Sequence, residues 1–170
     1  MSFPRGKKTP RTDPGPNPGR WAEARTCLDR CLMAAEVISS IGAQLLFIGE
    51  TRDLPDLKEI HRKNGAIAHQ LLTSLGCLDR MAHGDWHETV LAALVHSLYA
   101  TREQMRFQKG RLERTRRTAP KGAMPALENW MSWLHFAEDH LQRAMIIIQQ
   151  LIGSGRWIQI MSGPPKRRDL

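Results

Sequence analysis

Trp21, Ala24, Leu28, Cys31, Ala35, Ile38, Gly42 and Leu45 follow one another at alternating steps of three and four. That spacing keeps the side chains on one side of a helix of 3.6 residues per turn, and it predicts a first helix over about residues 20–49. Three more stripes of the same kind follow. One runs through Leu57, Ile60, Ile67, Leu71, Leu75 and Leu78, the next through Trp86, Val90, Leu91, Leu94, Leu98 and Met105, and the last through Leu127, Trp130, Leu134, Ala137, Leu141, Ala144, Ile148 and Leu151. No segment alternates with period two for long enough to compete as a strand. Four apolar stripes on short connections must bury one another, and the expected fold is all-α, an antiparallel up-down four-helix bundle.

The punctuation between the stripes fits that reading. Asp53 is expected to cap the second helix, with Pro55 in its first turn and Asp56 and Glu59 near its positive end. His83-Gly84-Asp85 stops that helix, glycine supplying the left-handed residue, and Asp85 with Glu88 three residues on resembles a capping box for the third. Pro125 opens the fourth, and Gly153-Ser154-Gly155 closes it. Past Thr101 the third stripe narrows and the helix turns basic, so its share of the core is expected to fade there. The proline- and glycine-rich residues 1–19 read as a disordered basic arm, residues 20–155 as the bundle, and residues 156–170 as a short docked segment with a second basic tail.

The formal net charge is +8, and its distribution says more than its sum. Residues 1–20 carry +4, residues 102–121 carry +6 and residues 156–170 carry +3, which leaves the remainder at −5. Basicity is therefore concentrated in two tails and one helix end, a pattern suited to a polyanion. An odd number of cysteines and a charged, proline-rich start without an apolar core suggest a reducing compartment, and a cytoplasmic location is expected. The longest uncharged run without a histidine, Val37 to Gly49, falls short of the roughly 20 residues that cross a bilayer, so no membrane partner is expected.

Catalytic and metal signatures are sparse. Neither a Glu-x-x-His pair of the ferritin type nor His-Glu-x-x-His occurs, and the nearest cluster is His135, Glu138, Asp139 and His140. Cys27, Cys31 and Cys77 form no Cys-x-x-Cys pair, so they read as ordinary buried thiols, and neither a metal nor a cofactor is expected. His83 and His87 flank Gly84 and suit cap positions better than a shared ligand face. The Arg-x(4–6)-His spacing of HEPN-like helical ribonucleases recurs at Arg62–His69 and Arg80–His87, but 18 arginines and seven histidines supply about that many matches by chance. Phosphate-cradling glycine loops and a Gly-x-Ser-x-Gly elbow are absent from the sequence.

The basic run carries the leading functional expectation: Arg102, Arg106, Lys109, Arg111, Arg114, Arg116, Arg117 and Lys121. Arginine predominates, and its planar fork pairs bidentately with phosphate oxygens. Lys7, Lys8, Arg167 and Arg168 in the tails point to the same partner. Backbone contacts to RNA or DNA are expected, without a choice between the two.

Two stretches resemble the small helical subunit of multi-subunit CRISPR effector complexes, particularly the type III form. Asn64-Gly65-Ala66-Ile67-Ala68-His69-Gln70-Leu71-Leu72 looks like that family's Asn-Gly-apolar helix, and Trp130-Met131-Ser132-Trp133-Leu134-His135-Phe136-Ala137-Glu138 is similar to its late Trp-Leu-x-x-Phe-Ala segment. The basic arm and the abrupt arginine cluster depart from that pattern. The resemblance implies a non-enzymatic subunit, held among other protein subunits, that lines a guide–target path with basic side chains. The rival readings are a ribonuclease using His69 with Arg62, and a protein-interaction bundle whose acidic body meets a basic partner; exposed stripe at the end of the first helix is also suited to oligomerisation.

Overall fold

The computed structural model describes residues 17–49, 51, 54 and 56–163. Among them the chain forms α1 (Pro18–Phe47), α2 (Leu57–Ala82), α3 (Glu88–Thr118), α4 (Met124–Ile152) and α5 (Ser154–Met161), with a short 3-10 turn at Lys121–Ala123 and no strand. The four long helices run alternately up and down. Asn64 of α2 reaches Ala35 and Ser39 of α1, Ser74 of α2 meets Ser97 of α3, Lys109 of α3 meets Glu138 of α4, and Cys31 of α1 meets Ala137 of α4. With the second contacts Arg25–Asp79, Asn64–Gln108, Arg116–Glu128 and Arg20–Gln150, the numbering runs in opposite senses along each pair, so neighbours are antiparallel and α1 and α3 stand diagonally across the bundle. The expected architecture is present, with α5 as the docked segment: Trp157 is buried and Arg156 pairs with Glu88 at 3.1 Å.

The expected stripes face inward. Leu28, Leu45, Leu71, Leu94, Leu98, Leu134 and Ile148 are fully or almost fully buried, and Trp130 is the largest side chain sealed from solvent. By length and composition α1 is also the one described helix apolar enough to cross a bilayer. Its apolar stripe is spent here on the bundle core, against α2 and α4.

Two boundaries and one buried face differ from expectation. Asp53 and Pro55 lie outside the described residues, and α2 begins at Leu57 with Asp56 at its N-cap position. Asp56 adopts φ +71, a left-handed conformation that Asp tolerates better than most residues, and its carboxylate accepts from Arg111 instead of capping the helix. The Asp85–Glu88 capping box does not form. His87 is the N-cap, its Nδ1 accepting the Thr89 amide at 3.3 Å, while Asp85 binds Arg80 and Glu88 turns to Arg156. His83 and His87 thus take the helix-end positions expected of them, and Gly84 holds φ +91 between them.

The third correction concerns the second half of α3. It does not leave the core: Thr101, Met105, Gln108, Leu112 and Thr115 are all buried, at steps of four and three. Polar side chains line a core at low cost when their groups are satisfied, as they are here save for Gln108 Oε1, which has no hydrogen-bond partner among the described residues. Gln108 donates to Asn64 at 3.3 Å, Asn64 donates to Ala35 O and Ser39 Oγ at 2.8 Å, and Thr101 donates to Ser97 O at 2.8 Å. An apolar-only search for the stripe stops one residue type too soon.

The three thiols are buried, at 4%, 0% and 8% exposure for Cys27, Cys31 and Cys77. Burial disfavours the thiolate and raises all three, Cys31 to about 12, and the Cys31 thiol donates to Ala137 O at 3.2 Å. An aromatic disulfide reagent at neutral pH should therefore titrate these cysteines only as fast as the chain opens. Immediate reaction of a native thiol would contradict this packing.

Candidate nucleic-acid interface

Burial of Thr101, Met105, Gln108, Leu112 and Thr115 leaves the rest of the α3 circumference to solvent, and that is where the cations sit. Seven of the eight lie on α3 and Lys121 follows in the 3-10 turn. From Arg102 to Arg117 the helix rises about 22 Å at 1.5 Å per residue. Because α3 ends where α4 begins, the cluster occupies the end of the bundle opposite Arg20 and α5.

The cluster divides in two. Arg106 pairs with Glu103 at 3.2 Å, Lys109 with Glu138 at 3.4 Å, Arg116 with Glu128 at 3.7 Å, and Arg111 with Asp56. Among the described residues Arg102, Arg114, Arg117 and Lys121 have no ion-pair partner. Solvent-accessible ion pairs contribute only about 0–1 kcal/mol each, so a phosphate can compete for the first group while the second is ready to receive one.

The α3–α4 seam gives the cluster its relief. These two helices meet less closely than the other neighbouring pairs, and α5 packs against both at the far end. A cleft of about 530 Å³, its open mouth included, runs along the seam between Arg102 and Arg106 on one side and Glu138, Asp139, Gln142 and Met145 on the other. Nearer the helix end a shallower groove is lined by Glu113, Arg116, Arg117 and Met124. Arginine borders both.

On the opposite flank of α3, Phe107 carries Lys63 Nζ 4.0 Å from its ring centroid and the Arg111 guanidinium at 5.0 Å. These cation–π contacts bring Lys63 of α2 into the basic surface. Lys63 also holds the Glu59 carboxyl below its ordinary range through a hydrogen bond and its charge. Sequence reasoning missed this extension because residues 63 and 107 meet only through the tertiary fold.

The other candidates disperse. Lys7, Lys8, Arg167 and Arg168 lie outside the described residues. Arg62 and His69 are both exposed on α2, and among the described residues neither has a partner that would activate it. Arg80 is taken by Asp85 at 2.6 Å and His87 by its cap. His135 and Asp139 are exposed, whereas His140 packs against Phe136 with its ring held below the ordinary histidine range by burial and by Arg30 and Arg143. Among the described residues no three His, Cys, Asp or Glu side chains converge as a metal site would require.

In the two stretches that carry the family resemblance, Asn64, Ile67 and Leu71 of α2 and Trp130, Met131, Leu134 and Ala137 of α4 are buried, so packing accounts for those positions, while Gly65, Ala66, His69, Leu72, Ser132 and His135 are exposed. Comparison with protein-family models, with curated proteins and with solved structures found no match to this chain.

Proposed function

We propose that the protein is a non-catalytic, nucleic-acid-binding component of a larger nucleoprotein assembly, contacting phosphate backbone and leaving sequence unread. One observation carries this reading: Arg102, Arg114, Arg117 and Lys121, unpaired among the described residues, are gathered on one helix and the turn after it. A surface whose donors are unpaired and directed at solvent suits a ligand with repeating anionic oxygens. The tail residues Lys7, Lys8, Arg167 and Arg168 add charge. A type III-like small subunit of a CRISPR effector complex is one assembly of this kind, cytoplasmic, with other protein subunits as neighbours and without a cofactor or membrane.

The test uses full-length protein freed of host nucleic acid and fluorescent RNA and DNA strands of unrelated sequence. Anisotropy should give similar affinities across sequences, within the roughly 10⁻⁴–10⁻⁶ M of non-specific binding at physiological salt, or tighter. The RNA should remain intact after incubation. Absence of binding at low salt would refute the reading, and cleavage abolished by His69→Ala would replace it with the ribonuclease one.

A further inference from the structure

The side of the bundle away from α3 is unlike the rest of the surface. Between Met33 and Ile48 the outward positions of α1 and its C-cap are Met33, Glu36, Ser40, Gln44, Phe47 and Ile48, and Glu36 is the one charged residue in that span. Phe47 is 85% exposed, Ile48 47% and Met33 44%. Beside them Val37 of α1 and Trp133 and Phe136 of α4 are only partly buried.

The exposed large residues have a definite spacing. Met33, Ser40 and Phe47 stand seven apart, so they share one line along the helix, with the small residue at the centre. If a second α1 lies antiparallel across this line with its Ser40 at the crossing, each position meets the one equally far on the other side. Met33 then faces Phe47 of the second copy, Val37 faces Ala43, and Glu36 faces the Gln44 amide. Sulfur-to-ring contact favours the first pair, two small apolar groups make the second, and a hydrogen bond satisfies the third. Parallel pairing has no such complement, because it sets Glu36 beside Glu36. A two-fold interface requires this kind of self-matching.

Area agrees with a second copy as occupant. The span from Met33 to Ile48 is about 24 Å long, and two adjacent helices make it roughly 20 Å wide. Each partner thus offers on the order of 500 Å², and the pair reaches about 1,000 Å², the lower size of a specific interface. Charge agrees as well, since this face has little net charge to oppose its own copy whereas α3 repels its own.

We infer that the chain forms a two-fold homodimer through the outward face of α1, with the helices antiparallel and Ser40 at the axis. The α3 arginines of the two copies then point away from each other, on opposite sides of the dimer. This inference is independent of the nucleic-acid reading.

Light scattering on full-length protein at tens of micromolar should report a dimer. Phe47→Glu and Met33→Lys, both at exposed positions, should each give a folded monomer by circular dichroism and scattering. Mixing the two variants should restore a dimer, because antiparallel pairing sets the new acid against the new base on one side of the axis and leaves the native pair on the other. Ser40→Cys should cross-link to a covalent dimer under mild oxidation, while unsubstituted protein, whose thiols are buried, should not. A monomeric wild-type chain, a dimer that survives both charge substitutions, or no cross-link through position 40 would overturn the inference and leave this face to a different protein.

Discussion

Trp130→Ala is expected to destabilise the bundle by about 3–5 kcal/mol, a large part of the stability of a domain this size. The side chain is fully buried, and among the described residues its indole Nε1 has no hydrogen-bond partner, so the loss is one of packing and cavity formation. The ring sits where α4 faces α1, against Gly42. A β-carbon on Gly42 would stand 2.6 Å from His61 Nδ1 and 3.0 Å from Trp130 Cη2. Glycine inside a helix ordinarily costs about 0.5–1 kcal/mol relative to alanine, so Gly42→Ala would stabilise an open site. Here the clash should win and the variant should be less stable than the parent. In the Trp130→Ala background the same change should cost less, since half of the obstruction is gone and neighbouring sites couple. Urea unfolding followed by circular dichroism measures all three variants. A loss below about 1 kcal/mol for Trp130→Ala would contradict the core described here.

The second large effect is on binding. Replacing Arg102, Arg114, Arg117 and Lys121 with alanine should lower affinity for RNA or DNA on the order of 100-fold at low salt, with similar factors on unrelated sequences, because phosphate contacts position without specifying. All four side chains lie on the solvent side of α3 or in the turn after it, so thermal stability should change little. A control removes three cations elsewhere, Arg30, Lys58 and Arg62, each exposed and without an ion-pair partner among the described residues. Its affinity should fall by several-fold at most. Equal losses in the two variants would mean that net charge, not the α3 surface, governs binding.

The sequence was most readable where one residue type carries one message. Leu, Ile and Ala at helical spacing placed the four long helices, and Gly84 and Gly153 marked the ends of α2 and α4. It was least readable where polar residues do core work. Gln108 and Thr115 read as surface because their burial depends on partners, Asn64 for Gln108, that local spacing does not reveal. The same limit applied to the cap of α3. Asp85 and Glu88 satisfied the local pattern, but Arg80 and Arg156 offered each carboxylate a charged partner, and His87 took the cap. For the candidate interface, the run of cations was visible at once. Which of them are already paired was not, since Asp56, Glu128 and Glu138 come from other helices. The cation–π extension at Lys63 and Phe107 likewise exists only in three dimensions.

The claim that α3 receives a phosphate backbone is tested most directly by the salt dependence of affinity for one RNA strand, measured with wild-type protein and with the Arg102, Arg114, Arg117 and Lys121 alanine variant. Each phosphate neutralised on a single strand adds about 0.7 to the slope of log affinity against log salt. The account predicts a steep wild-type slope that falls by roughly two to three in the variant, one increment for each phosphate that the alanines leave unpaired. An unchanged slope, with affinity preserved, would show that these cations do not touch the backbone and would contradict the account at its centre.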